Sequence, residues 1–235
     1  MFLSIIIPAY NEQERLKISL GKLYQYLINK DYDYEIIMVD DGSSDKTCET
    51  VFESMLAKAG KIIFLNNGEN KGKGFSVKRG ILHSTGEFVL FSDADFSTPI
   101  EELDKLFSCL KNGYDIVIGS RSIKGANITV RQPFYREMMG KSFNFLVQII
   151  ALRGIQDTQC GFKLFNGQCA KNIAQELKIE RFGFDVEMLY LAQKKNYKIK
   201  EVPVTWINSP TSKVDPIRDS WKMFRDLLAM KRLHG

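Results

Sequence analysis

The chain has 235 residues, 44% hydrophobic and 26% charged, a globular balance that excludes disordered, collagen-like and coiled-coil classes. Its 33 basic and 28 acidic side chains leave a formal charge of +5, enough to attract phosphates or anionic lipid without implying nucleic acid. The longest apolar stretch, Phe143 to Leu152, is interrupted by Asn144 and Gln148 and falls short of the ~20 residues of a spanning helix.

In chain order, β-branched runs at 3–7, 35–40, 61–66, 87–93 and 114–119 alternate with helical patterns at 12–29, 45–59, 73–84 and 100–112. Asn11-Glu12-Gln13-Glu14 has the form of a capping box, and Pro99 suits a first helical turn. Such alternation predicts a mainly parallel sheet covered on both faces, with ligands bound beyond the carboxyl ends of its strands. After residue 120 follow a basic loop, an apolar helix at 134–152, a strand at 162–166, helices at 168–176 and 184–195, and a strand at 198–206. The closing segment, Pro216 to Leu233, aligns Trp221, Phe224, Leu227, Leu228 and Met230 on one helical side among basic residues. No linker or repeat divides the chain, so one domain spanning 1–235 is expected.

Four cysteines at 48, 109, 160 and 169 form no CxxC pair, and only His83 and His234 are imidazoles, so neither a zinc site nor a disulfide framework is expected. Met1 leads directly into an apolar run without a basic start, which predicts a cytoplasmic protein.

The polar motifs fall at the predicted strand ends. Ser92-Asp93-Ala94-Asp95 follows Phe88-Val89-Leu90-Phe91, and alternation along an extended chain would send both carboxylates to one side, where a divalent cation relieves their repulsion. Oxygen donors of this kind suit Mg²⁺ or Mn²⁺; the bland alternative is a pair of turn or capping residues. Asp40 and Asp41 end the second strand and are placed to accept hydrogen bonds from a nucleoside, while Ser43, Ser44 or Asp45 can each cap the next helix. Asn70-Lys71-Gly72-Lys73-Gly74 lacks phosphate-loop spacing, which leaves a glycine-rich turn or an anion cradle at a helix start. Among the later basic residues Arg121 stands out, since Gly119-Ser120-Arg121 ends a strand and its planar fork can grip phosphate in two places.

Ile5-Ile6-Ile7-Pro8-Ala9-Tyr10-Asn11-Glu12, Val39-Asp40-Asp41-Gly42-Ser43-Ser44-Asp45 and Asp93-Ala94-Asp95, in this order, resemble glycosyltransferase family 2. Asp157-Thr158-Gln159-Cys160-Gly161-Phe162-Lys163-Leu164-Phe165 and Phe182-Gly183-Phe184-Asp185-Val186-Glu187 look like its dolichyl-phosphate β-glucosyltransferase branch. The resemblance implies an α/β fold of the GT-A, Rossmann-like type, with a nucleotide-sugar half at 1–119 and an acceptor half at 120–235. It further implies inversion at the anomeric carbon, a Mg²⁺ or Mn²⁺ ion at Asp93 and Asp95, and UDP-glucose and a polyprenyl phosphate as partners at a membrane surface. Pro8, Tyr10, Glu12, Asp40, Asp41 and Lys71 would surround the nucleotide. Arg121, Arg136 and Lys213 would meet the acceptor phosphate, and Gln159, Lys163 and Asp185 would line the sugar or acceptor side. The related mannosyl-transferring branch carries a glutamine two places after the second aspartate, where this chain has Ser97, so the third metal ligand stays open. UDP-N-acetylglucosamine or GDP-mannose as donor, or a saccharide hydroxyl as acceptor, are the alternatives.

Overall fold

The computed structural model describes residues 1–130, 134–208 and 216–235, with side chains from 137 and from 221 onward in the last two segments. Seven strands form the central sheet: β1 (Leu3–Ala9), β2 (Tyr34–Asp40), β3 (Ile62–Asn66), β4 (Phe88–Ser92), β5 (Ile116–Ser120), β7 (Phe162–Asn166) and β8 (Ile199–Pro203). Their order is β3-β2-β1-β4-β7-β5-β8. All neighbours are parallel except β7, which runs antiparallel to both β4 and β5. That reversal sets the site, because the start of β7 lies beside the end of β4, with Ser92 opposite Phe162. The Asp157–Gly161 segment is thereby brought to the edge where the parallel strands end.

Alternating side chains feed two cores. Ile5, Ile7, Ile36 and Met38 face helix α1 (Gln13–Leu27) and helix α5 (Leu103–Lys111). Ile6, Ile37, Val39 and Phe91 face the other layer, α4 (Lys73–His83), α6 (Phe134–Ile150), α7 (Gly167–Glu176), α8 (Phe184–Lys194) and α9 (Pro216–His234). Helix α9 buries Met223, Leu227 and Met230 in that layer and leaves Trp221 and Leu228 exposed. Its last turn is held by His234 Nε2, 2.6 Å from the buried Glu187.

Four local expectations change. The helix expected at 45–59 breaks into α2 (Thr47–Glu53) and α3 (Met55–Lys58), because Ser54 turns extended and its hydroxyl accepts from Ala57 N. The helix expected at 100–112 begins with a 3₁₀ turn over Ile100–Glu102. The strand expected at 198–206 is β8 followed by β9 (Thr205–Ile207). The basic loop contains β6 (Asn127–Val130), which pairs in parallel with β9 as a second, two-stranded sheet.

Candidate active site

At the ends of β1 and β2, Ala9 lies opposite Asp40 and Asp41 N donates to Ala9 O at 2.8 Å. Asn11 has φ +53° and serves as the junction between the two loops. Its N–H donates to Ser43 Oγ at 2.8 Å, and its Oδ1 accepts from Ser44 N at 2.8 Å and Asp45 N at 3.3 Å. The capping box does not form: Glu12 makes no side-chain cap and pairs instead with Arg15 at 3.0 Å. None of the three expected caps takes the cap position of the helix at Thr47–Glu53, which is Lys46; Asp45, one residue earlier, accepts from Thr47 N at 3.0 Å. Pro8 is buried in β1, Tyr10 is 40% exposed, and Asp40 is buried with Ser43 N at 3.3 Å from its Oδ2.

Asp41 faces a different task. Its carboxylate accepts from Asn67 Nδ2 at 2.8 Å, Lys71 N at 3.0 Å and Gly72 N at 2.9 Å, so it ties the glycine-rich turn to the end of β2. Phe75 N is likewise taken, by Glu180 O at 3.0 Å. The N–H groups of Lys71, Gly72 and Phe75 thus serve the glycine-rich turn itself. Gly72, at φ +110°, and Gly74 are required there because a Cβ on either would collide with the backbone carbonyls of Glu180 and Ile179. Lys71 itself lies 4.0 Å from Glu69.

The DxD segment also differs from expectation. Strand β4 stops at Ser92, and 93–98 form a turn in which Phe96 takes φ +45° and donates its N–H to Asp93 O. Extended-chain alternation therefore does not orient the two carboxylates, and each has its own partner. Lys73 Nζ stands 2.7 Å from Asp93 Oδ1. Burial would lower the Lys73 pKa, and the charges of Asp93, Asp185 and Asp95 outweigh it and hold it above the ordinary value. Asp95 Oδ1 accepts from Ser97 N at 3.0 Å. Gly161 packs so closely on the Asp93 carboxylate that any side chain there would collide with it. Sequence reading passed over Lys73, although it stands inside the Asn70–Gly74 motif.

In the second half of the chain, Arg121 is not a free fork. Its backbone N and Nε donate to Asp157 Oδ2 at 2.8 and 2.7 Å, and its Nη2 donates to Asp157 Oδ1 at 2.8 Å. The expected two-point grip on phosphate through that edge is therefore revised: the edge is occupied, leaving Nη1 and one Nη2 hydrogen. Burial would lower the Arg121 pKa, but the Asp157 charge and hydrogen bonds raise it above the ordinary value. Asp157 shows the converse: burial would raise its pKa, and Arg121 holds it below 3.8. The Trp206 ring lies 5.4 Å from the guanidinium carbon.

Lys163 is fully buried, bonded to Cys160 O at 2.7 Å and ion-paired with the buried Asp185. These two residues, expected to line the sugar or acceptor side, lie beneath the site. Gln159 Nε2 reaches Met223 Sδ at 3.6 Å, on α9. Arg136 lies in α6, its side chain outside the described residues, and Lys213 lies outside them altogether. Neither histidine approaches this edge: His83 closes α4 and His234 pairs with Glu187.

Residues 4–173 match the model of glycosyl transferase family 2. The chain belongs to glycosyltransferase family 2, and it is a glycosyltransferase. It is 41% identical to the dolichyl-phosphate β-glucosyltransferase of Dictyostelium discoideum, over 98% of this chain and 74% of that one. Identity to the human enzyme of the same name is 35%, over 97% and 74% of the two chains. Among solved structures, glucosyl-3-phosphoglycerate synthase from Mycobacterium tuberculosis in complex with Mn²⁺, UDP and glucosyl-3-phosphoglycerate superposes with a TM-score of 0.68. That match has 16% sequence identity, covers 98% of this chain and 78% of that one, and shows a shared GT-A-like fold.

Proposed function

We propose that this family 2 enzyme transfers glucose from UDP-glucose to the phosphate of dolichyl or another polyprenyl phosphate, with inversion, giving polyprenyl β-D-glucosyl phosphate and UDP. The observation that carries this reading is the 41% identity, over nearly the whole chain, to a relative named for that reaction. The chemistry of the site agrees with it. A phosphate monoester has a second pKa near ~6 and is largely dianionic at neutral pH, so it needs no protein base to become a nucleophile. Its oxygen attacks the anomeric carbon as the bond to the UDP oxygen breaks, and no proton has to move. The lack of histidine at the sheet edge is then no handicap.

The residues have separate tasks. Tyr10, Glu12, Asp40 and Lys71 would hold the nucleotide, with Pro8 shaping the wall and Asp41 bracing the turn that carries Lys71. Arg121, joined by Arg136 and Lys213, would hold the acceptor's phosphate close to a second anion, an electrostatic and orienting contribution. Gln159 would border the acceptor side, while Lys163 and Asp185 support it from below. Asp93, paired with Lys73, and Asp95 are oxygen donors two residues apart in one turn, and no group of three metal-ligating side chains occurs among the described residues. Asp93 and Asp95 would hold a Mg²⁺ or Mn²⁺ ion, for which such oxygen donors are suited. When bound, such an ion offsets charge growing on the departing diphosphate.

A saccharide-hydroxyl acceptor would call for a base such as Asp185, and the ion pair of Asp185 with Lys163 weighs against that role. No helix among the described residues is long and apolar enough to cross a membrane. Contact with the lipid would instead run through exposed apolar side chains, Met138, Phe145 and Ile149 on α6 and Trp221 and Leu228 on α9. The four unpaired cysteines favour a cytoplasmic face.

The test is incubation of purified enzyme and Mg²⁺ with labelled UDP-glucose, UDP-N-acetylglucosamine or GDP-mannose and a short polyprenyl phosphate. A glucosylated lipid from UDP-glucose alone is expected; preference for another donor, or no lipid product, overturns the reading. Asp95→Asn should abolish metal-dependent turnover, and Arg121→Ala should weaken acceptor use more than UDP binding.

A further inference from the structure

Arg121 directly follows β5, a position where an unrestrained arginine would sample many rotamers and lose that freedom on binding. Here three hydrogen bonds to one carboxylate remove that freedom. The backbone that carries this carboxylate is held in turn: Glu201 accepts from Asp157 N at 2.9 Å and from Gln156 N at 2.8 Å. Glu201 lies on β8 opposite Ile118 of β5, so the support returns to the strand that carries Arg121. Trp206 covers the guanidinium, and its neighbour Ile207 donates its N–H to Ser97 O at 2.8 Å, which joins this assembly to the turn bearing Asp95. The Asp157 side chain is 5% exposed whereas that of Arg121 is 28% exposed, so the carboxylate lies inside and the cation reaches the surface.

We propose that Asp157, held by Glu201, is a positioning residue that sets Arg121 with a single outward edge for the acceptor's phosphate. The proposal rests on the reading of Arg121 given above and adds the residues that aim it. A clamped arginine meets an anion without first losing side-chain entropy, and a planar edge of fixed direction also fixes the line along which the phosphate oxygen approaches the sugar.

The test is a double-mutant cycle in the full-length enzyme with UDP-glucose saturating, a short polyprenyl phosphate varied, and UDP affinity measured by calorimetry. Asp157→Asn is expected to raise acceptor KM about tenfold while UDP affinity holds, and Asp157→Glu to recover part of the loss. In an Arg121→Ala background the Asn substitution should add less than about twofold, since its target is already gone. Multiplying penalties, or equal losses in UDP affinity and acceptor KM, would overturn the positioning role alone. An Arg121→Ala enzyme with unchanged acceptor KM would overturn both that role and the reading beneath it. Glu201→Gln, which leaves the Asp157 pair chemically intact, guards against a poorly folded Asn variant: acceptor KM should rise with UDP affinity unchanged, and an unmoved KM overturns the relay.

Discussion

The two halves of the site are built from different materials. On the nucleotide half, neighbouring loops are laced by short polar side chains and backbone N–H groups, with Asn11 serving Ser43, Ser44 and Asp45, and Asp41 serving Asn67, Lys71 and Gly72. On the half proposed to hold the acceptor, charged pairs carry the structure: Lys163 with Asp185 is buried, and Arg121 with Asp157 has its carboxylate buried and its cation part-exposed. A laced loop loses stability in small steps when one bond is cut. A buried charge that loses its partner is left in a low-dielectric surrounding and costs much more. The acceptor half should therefore be the brittle one.

The sharpest way to break that comparison is Lys163→Ala. It strands Asp185 in the interior and should cost about 3–5 kcal/mol in thermal or urea unfolding. Replacing both, as in Lys163→Met with Asp185→Leu, should recover a large part of the stability but not the activity. A loss below about 1 kcal/mol for the single change would show that Asp185 is satisfied by other groups.

A second, pH-resolved measurement separates charge from packing. Arg121 holds the Asp157 pKa below its ordinary 3.8, so the pair's contribution is present above that value and lost as pH falls through the folded-state pKa. Asp157→Asn should cost on the order of 2–3 kcal/mol at neutral pH, with the gap to the native enzyme narrowing below about pH 4. A gap independent of pH would assign the effect to packing alone.

The same division explains what could be read in advance. Hydrophobic period and turn chemistry are local, so Ile5-Ile6-Ile7, Ile36-Ile37-Met38-Val39 and their polar ends disclose the parallel strands and the loops beyond them. The bridge between Arg121 and Asp157 spans 36 residues and exists because β7 runs backward between β4 and β5, a reversal that no local pattern records. Lys163 was picked out on family likeness as a site cation, yet its place in β7 puts it inside the protein, fully buried. Strand β6, whose four residues are all exposed, offered no apolar alternation to detect. Asp93 differs for the opposite reason: the strand pattern extends one residue too far, into a turn packed against Gly161, just before β7.

On the nucleotide half the corresponding probe is Asn11→Ala. It removes the acceptor for Ser44 N and Asp45 N and leaves alanine at φ +53°, where asparagine is tolerated better. The expected cost is about 1–2 kcal/mol, with weaker UDP binding in calorimetry as the loops around Tyr10 and Asp40 loosen. A loss as large as that for Lys163→Ala would erase the distinction between the halves.

The smallest stability effect belongs to the outer side of α9. Trp221 is 63% exposed while Met223, Leu227 and Met230 anchor the helix to the core, so Trp221→Ser should leave unfolding within about 0.5 kcal/mol of the native enzyme. Its consequence should appear only against lipid. Co-sedimentation with vesicles containing anionic lipid should fall, since an indole of this kind contributes apolar area and an interfacial N–H at the headgroup level. Unchanged sedimentation would move the membrane contact to Phe145 and Ile149 on α6, and the same assay on serine variants there would test it.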